Sequence, residues 1–234
     1  ILICQKFSRV TTHVDNHELI PALAKHNLVY EEVIWDDPHV DWNQYSAILV
    51  RATWDYIDKQ AQFIKTMEQV SKLGIPFFNS FETIKWNSTK HYLTELAQKG
   101  ILTFPTLTVS RNTTADITPL IMETFGTIEL IIKPAISGGA HRTFKTTINS
   151  IQELYEKQYA PEEQVLIQPF MPEVSTEGEW SLMFFNGVFS HAVLSTPKAG
   201  DFRVQRMHGG SVQLVVPDAS MIHEAQKVLE AVPY

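Results

Sequence analysis

The sequence predicts an α/β fold with α+β character: an N-terminal layer of mostly parallel strands, then a region that turns antiparallel. Two observations carry this expectation. Through the first hundred residues, short apolar segments alternate with helical patterns, as a parallel layer requires. Further on, Asn186-Gly187 separates two apolar runs, and this pair supplies the positive φ angles of a type I′ hairpin. With 234 residues, 44% apolar and 19% charged, the chain can remove roughly 70% of its unfolded surface from water, enough for one large domain or two small ones. Its 10 Gly and 12 Pro show no period, which excludes fibrous and low-complexity classes.

Taken in order, the strand candidates of the first layer are residues 1–4, 28–34, 47–50 and 75–78. A first helix is expected near 15–26; Asp15 and Glu18 resemble a capping pair, while Pro21 removes a backbone donor and predicts a kink or a late start. Residues 58–72 place Phe63, Met67 and Val70 at helical spacing, with Gly74 as the stop. A third helix is expected from Asn87, as its cap, to Gly100, with Leu93, Leu96 and Ala97 on one face. After ILTFPTLTV and a Thr-rich connector, Thr118 and Pro119 open a short helix. Strands at 128–133 and 165–168 follow, separated by a glycine-containing loop and a helix capped by Ser150 with Glu153 three residues on. The hairpin occupies 181–194, and a last helix starts at Asp218 with Ile222, Ala225 and Val228 on one side.

The charge balance narrows the partners. Nineteen Lys and Arg against 26 Asp and Glu give a net charge of −7, and no stretch gathers the basic stripe that nucleic acid demands. A single cysteine, Cys4, reads as an ordinary buried thiol and fits a reducing, cytoplasmic setting. Apolar runs such as IELIIKP fall far short of the ~20 residues that span a bilayer. The opening ILICQKFSRV reads as a strand entering a polar loop rather than as a signal peptide, and it lacks an initiator Met, consistent with a start further upstream.

Chemistry concentrates in three segments. In KPAISGGAHRT, a lysine leaves an apolar strand and a small-residue loop follows; its backbone amides can approach phosphate oxygens while Lys133 supplies charge. It is neither a Walker A loop nor GxGxxG, and alone it reads equally as a turn ending in a solvated lysine. Lys90, one turn after Asn87, is a second basic group upstream, of the kind a triphosphate needs. In VLIQPFMPEVSTEGEW, Pro169 and Pro172 argue against a central strand and leave backbone groups free to bond a flat heterocycle. Glu177 and Glu179 then offer carboxylates to ribose hydroxyls, or are two solvated loop acids.

Together with RATWDY from Arg51, KWNSTKHYLTELAQKGI from Lys85 and GEWSLMFFNGVFSHAVLSTPKAGDFRVQ from Gly178, these segments resemble, in order and over nearly the whole chain, the ATP-grasp ligases of the glutathione synthetase-like and cycloserine synthetase-like branch. The resemblance implies a pre-ATP-grasp α/β domain at 1–81, a helix and connector at 82–117, a lid subdomain with the glycine loop at 118–171, and an incomplete C-terminal antiparallel-sheet subdomain at 172–234. It implies that Lys90 and Lys133 contact nucleotide phosphates under the loop of Ser137, Gly138 and Gly139. Gln168, Phe170 and Met171 fall at the adenine hinge and Glu179 at the ribose. Arg203 faces the transferred phosphoryl group, with Lys198 as its neighbour. Arg51, at a predicted strand end, is the candidate for the acceptor's carboxylate, because strand ends in α/β layers face the crevice; Trp54 and Asp55 beside it read equally as packing and a turn cap.

The implied activity is ATP-dependent joining of a carboxylate to an amine or related nucleophile through an acyl phosphate, on a small amino-acid or peptide-like substrate, by an enzyme with a homodimer as the general prior. ATP and Mg2+ are the implied cofactors. In the family an acidic residue and a Glu-x-Asn pair after the last helix hold the metal, and the sequence reaches Tyr234 before such a pair. Either the gene product continues, or the chain is a non-catalytic relative that binds nucleotide without turnover; a fold in which loop and lysines are purely structural is the third expectation. No zinc spacing occurs, and His191 and His208 read as hairpin surface residues.

Overall fold

A computed structural model describes residues 1–3, 19–110 and 116–232. Cys4, Asp15, Glu18 and the Thr-rich connector at 111–115 lie outside the described residues. The chain divides into two units, Ile1–Ser88 and Thr89–Val232.

The first unit is built on strands β1 (Leu2–Ile3), β2 (Val33–Ile34), β3 (Ile48–Ala52) and β4 (Phe77–Phe78), ordered β2-β1-β3-β4 and parallel throughout, as the alternation predicted. Strand β2 keeps only the last two residues of the 28–34 segment. It pairs through Leu2↔Val33 and Ile3↔Ile34, so Leu28, Val29 and Tyr30 gain no ladder among the described residues and face solvent. Helix α1 spans Leu19–Lys25 and contains Pro21; of the 15–26 segment where the sequence predicts a first helix, residues 15–18 lie outside the described residues. Helix α2 (Gln60–Ser71) buries Phe63, Met67 and Val70 against Val33, Trp35 and Ile48.

Trp35 is fully buried; its ring meets Phe63 edge-on at 5.2 Å and its indole N–H donates to Asp55 Oδ1 at 2.7 Å. Asp55 also accepts from Lys59 at 3.3 Å, so its role here is to satisfy a buried indole. Because Trp35→Ala removes a fully buried aromatic and one of the two bonds to that carboxylate, it is expected to cost about 3–5 kcal/mol of stability in urea unfolding, with Trp35→Phe milder.

The helix expected from Asn87 to Gly100 forms only over its second half, and a separate helix precedes it. Helix α3 runs Phe81–Asn87 and helix α4 runs Tyr92–Gln98. Asn87 therefore closes α3 rather than capping a helix. The true cap is Ser80, whose hydroxyl accepts from the Thr83 N–H at 3.1 Å. Ser88, buried, donates to the Lys85 carbonyl at 2.8 Å and ends the last turn. Lys90 thus sits in the break, where its own N–H is free to donate to the Ala135 carbonyl at 2.8 Å.

The second unit holds two antiparallel sheets. Strands β5 (Leu107–Ser110), β6 (Glu129–Pro134), β7 (Phe144–Thr147) and β8 (Gln164–Pro169) pair in the order β5-β8-β6-β7, with helices α5 (Thr118–Phe125) and α6 (Ile151–Gln158) in their connections. Ile121, Ile151 and Tyr155 of these helices pack on Leu130, Ile132, Val165 and Ile167, the side chains of one sheet face. Period-2 alternation turns Ile131, Lys133, Leu166 and Gln168 to the opposite face, where the register sets Ile131 opposite Gln168 and Lys133 opposite Leu166. Strand β8 is central as far as Pro169, contrary to the expectation from its prolines: Pro169 ends the strand, so its missing donor breaks no inner ladder.

After the short helix α7 (Glu173–Thr176), strands β9 (Glu179–Phe185), β10 (Val188–Thr196) and β11 (Ser211–Val215) form the second sheet, ordered β11-β10-β9. Its hairpin turns at Asn186 and Gly187, with φ of 50° and 76°, as the dipeptide predicted. Helix α8 (Ala219–Ala231) begins at Asp218, whose carboxylate accepts from the Met221 N–H at 2.9 Å. Among the described residues, no helix is long and apolar enough to cross a membrane.

Candidate functional site

A cavity of about 400 Å3 opens within the second unit, on the face of β6 and β8 away from the helices. Lys133 reaches it from β6, and Lys90 from the break before α4. The loop Ser137, Gly138 and Gly139 forms one wall. The end of β8 contributes Gln168, Phe170 and Met171, while Glu179 and Arg203 complete the lining. Sequence reasoning thus names residues that share one cavity although they span more than a hundred positions. Lys198 is exposed and does not line it; its aliphatic stem lies beside Gly209. Arg51 is an exposed residue of β3 in the first unit and is not among the cavity's walls.

The two lysines define the electrostatics. Lys90 Nζ donates to the Ser137 carbonyl at 2.9 Å, and burial lowers its pKa. Lys133 is lowered to about 8, first by burial and then by the Lys90 charge, with Glu179 opposing the shift. Among the described residues, its ammonium has no hydrogen-bond acceptor. Two cations held close in a partly dry wall without a paired carboxylate form a site that gains from an anion.

The glycine loop is tied down at its far end. Arg142 grips Glu163 with two bonds, 2.7 Å and 3.0 Å, donates to the Gln158 carbonyl and stacks over Tyr159 at 4.8 Å. Tyr159 in turn donates to the Arg142 carbonyl at 2.7 Å. Near the loop's middle, the ring N–H of His208 donates to the Gly139 carbonyl at 3.3 Å. His208 belongs to a 3-10 turn, Arg206–His208, and not to the hairpin surface where the sequence suggested it.

At the other end of the cavity, Gln168 is buried and donates to Thr106 Oγ1 at 2.8 Å. The Phe170 N–H donates to the Glu129 carbonyl at 2.9 Å, whereas the Met171 N–H meets no acceptor among the described residues, leaving one backbone donor unused at this strand end. Phe170 stands edge-on to Phe202 at 6.4 Å with Lys145 over its ring at 3.5 Å. Arg203 is clamped by Asp201, Nε to Oδ1 at 3.0 Å and an NH2 group to Oδ2 at 2.8 Å, and the guanidinium holds that carboxyl far below the usual carboxylate range. In the sequence, the family resemblance is the signal for Arg203, whereas its Asp201 partner carries none. Lys145 and Tyr92, which also lines the cavity, had none, because each depends on contacts distant in sequence.

These groups can hold a nucleotide: cations at one end, aromatic side chains and a backbone donor at the other. They do not assemble a metal site. Among the described residues, no three His, Cys, Asp or Glu side chains come together to hold one.

Comparison with known proteins bears on the fold. Residues 1–79 match the family model described as D-cycloserine synthetase DcsG, N-terminal domain. The cycloserine biosynthesis protein DcsG of Streptomyces lavendulae is 27% identical over 184 residues, 76% of this chain and 61% of that protein, so the chain spans about three fifths of this curated relative. Among solved structures, D-cycloserine synthetase DcsG superposes with a TM-score of 0.83 at 23% identity, covering 99% of this chain and 79% of that one. D-alanyl-alanine synthetase A from Vibrio cholerae gives 0.67 at 15% identity, covering 99% and 78%. A RimK domain ATP-grasp protein from Sphaerobacter thermophilus gives 0.66 at 16%, covering 99% and 81%. The chain has the fold of the ATP-grasp ligases, and its first 79 residues match the N-terminal domain of D-cycloserine synthetase.

Proposed function

We propose that this chain carries the nucleotide site of an ATP-dependent ligase that joins a carboxylate to an amine on small amino-acid or peptide-like substrates. The supporting observation is the pair Lys90 and Lys133, two partly desolvated ammonium groups beside a small-residue loop in a single cavity. The names of the similar proteins, D-cycloserine synthetase and D-alanyl-alanine synthetase, point to the same chemistry.

In this reading ATP supplies the phosphoryl group that activates the carboxylate as an acyl phosphate, which the amine then attacks. The chain's own contribution is positioning and charge. Lys133 and Lys90 take the phosphate charge, and the amides of Ser137, Gly138 and Gly139 close over it. Arg203, pre-oriented by Asp201, faces the group being transferred without having to organise itself during the reaction. Glu179 stands near enough to Lys133 to raise its pKa and is placed for the ribose hydroxyls. The Met171 N–H reads the base edge. Magnesium is expected of the family, but the described residues form no site for it and no step is routed through it. The test is release of ADP that depends on adding both a carboxylate and an amine, with hydroxylamine trapping the activated carboxylate as a hydroxamate.

The lysine pair also fixes a pH response. In the free protein Lys133 loses its proton through pH 8, far below a free lysine at 10.5. Nucleotide needs the charged form, so affinity for AMP-PNP is expected to fall by about tenfold from pH 7 to pH 9. The stability of the ligand-free protein runs the other way. Between the folded pKa near 8 and the unfolded value of 10.5 the unfolded chain binds more protons, so this group's penalty on folding is relieved as pH rises. Titration calorimetry and thermal melts over this range check both slopes.

A further inference from the structure

The loop beside the two lysines has a costly backbone. Among the described residues, positive φ outside glycine occurs at Asn27, Asn186, Ala140 and Arg142. Asparagine tolerates the left-handed region because its short polar side chain bonds locally, whereas alanine and arginine are penalised there by their Cβ. Both penalised residues lie in the glycine loop, between β6 and β7.

Two overlapping turns build its shape. The His141 N–H donates to the Gly138 carbonyl at 3.0 Å around Gly139 and Ala140, both at a φ of 59°. The Thr143 N–H then donates to the Ala140 carbonyl at 3.2 Å, with Arg142 inside the turn at a φ of 48°. In this shape the N–H groups of Gly138, Gly139 and Ala140 meet no acceptor among the described residues, and all three residues line the cavity. Successive unused amides in tight turns suit an anion.

A strained conformation persists only where its surroundings impose it. At the near end of the loop, Lys90 holds the Ser137 carbonyl at 2.9 Å. At the strained end the fixed point is Arg142. Its guanidinium takes both carboxylate oxygens of Glu163 and the Gln158 carbonyl, and it lies over the Tyr159 ring. Its own carbonyl accepts from the hydroxyl of the buried Tyr159. Side chain and backbone of one residue are thus pinned to the end of α6 and to the residue before β8. Arg142, Gln158, Tyr159 and Glu163 are not among the residues that line the cavity, so any effect of this clamp on a ligand passes through the loop.

We infer that Arg142 is a positioning residue for phosphate binding: clamped by Glu163, it holds the loop in its strained shape before a ligand arrives, with the amides of residues 138–140 already presented to an anion. This rests on the nucleotide reading above and deepens it, because affinity then depends on a residue that touches no part of the ligand. Without the clamp, Ala140 and Arg142 relax toward ordinary φ angles and the binding-competent loop becomes a minor population. Apparent affinity falls by that fraction.

The test titrates AMP-PNP with magnesium into the whole chain as wild type, Arg142→Met, Glu163→Gln and the double variant Arg142→Met with Ala140→Gly. Arg142→Met should bind about tenfold more weakly than wild type, and Glu163→Gln, which keeps one acceptor for the guanidinium, should fall between them. Adding Ala140→Gly removes the penalty at position 140 and should recover about threefold or more of the lost affinity. A merely structural arginine gives another pattern: its loss lowers the ligand-free melting temperature, and a glycine at 140 restores no affinity. Binding by Arg142→Met within about twofold of wild type, or no recovery in the double variant, overturns the inference and leaves the nucleotide reading intact. Should Arg142→Met not fold, Glu163→Gln with and without Ala140→Gly decides by the same comparison: a loss that glycine recovers supports the inference, and no such loss or no recovery overturns it. Failure of wild type to bind AMP-PNP overturns the nucleotide reading itself, and this inference with it.

Discussion

Replacing Lys133 by Ala should remove nearly all of the thermal protection that ATP gives this protein. Lys133 is the more strongly perturbed of the two site lysines, brought down to about 8 by burial and by the neighbouring Lys90 charge. Such a group is poorly served in the free protein and gains most when an anion arrives. Truncating it removes a desolvated, charge-assisted contact, for which a loss of about 100-fold in affinity, about 2.7 kcal/mol, is the expected scale. The ligand-free variant should melt no lower than wild type, since a buried cation without an acceptor contributes repulsion to the folded state. A structural lysine would behave in the opposite way: its loss would lower the ligand-free melting temperature and leave the ATP-induced shift in place. Melting curves with and without ATP therefore separate the two roles in one experiment.

The second large effect is expected at Gly210. A Cβ built there would lie 2.1 Å from the Val204 carbonyl oxygen and 2.6 Å from its carbon, both backbone atoms that cannot rotate away. Val204 is buried and lies between Arg203 and Gln205 in the cavity wall, so a displaced Val204 moves both neighbours. Gly210→Ala is expected to cost about 3 kcal/mol or more of stability, at the upper end of overpacking, and to abolish ATP-dependent protection in whatever fraction folds. Gly138→Ala supplies the contrast. An added Cβ there meets nothing within 4 Å and the backbone angle is ordinary, so its stability should stay within about 0.5 kcal/mol of wild type. Urea unfolding of the two variants side by side measures the difference.

What the sequence made legible was local. Phe63, Met67 and Val70 announce α2 by spacing alone and are buried where that spacing puts them. Asn186-Gly187 announces its own turn because the required φ angles belong to those two residues. The failures share a cause, which is dependence on distant partners. The helix expected from Asn87 starts only at Tyr92, after the Lys90 N–H pairs with Ala135, forty-five positions away. Strands β7 and β11 are weak as sequence and exist because β6 and β10 offer them ladders. At the site, the lysines and the glycine loop are visible as motifs. The Lys145 contact with Phe170 is not, since it is written in no short segment.

If Lys133 and its cavity bind the phosphates of ATP, as proposed, proton uptake reports it most directly. Phosphate beside Lys133 favours the charged form, so binding at pH 8.5, just above its free-state value of about 8, must draw protons from the buffer. Calorimetric titration of AMP-PNP in two buffers of different ionisation enthalpy should give one site per chain with net proton uptake, which disappears in Lys133→Met. Absence of binding, or binding whose heat is the same in both buffers and in the variant, would contradict it.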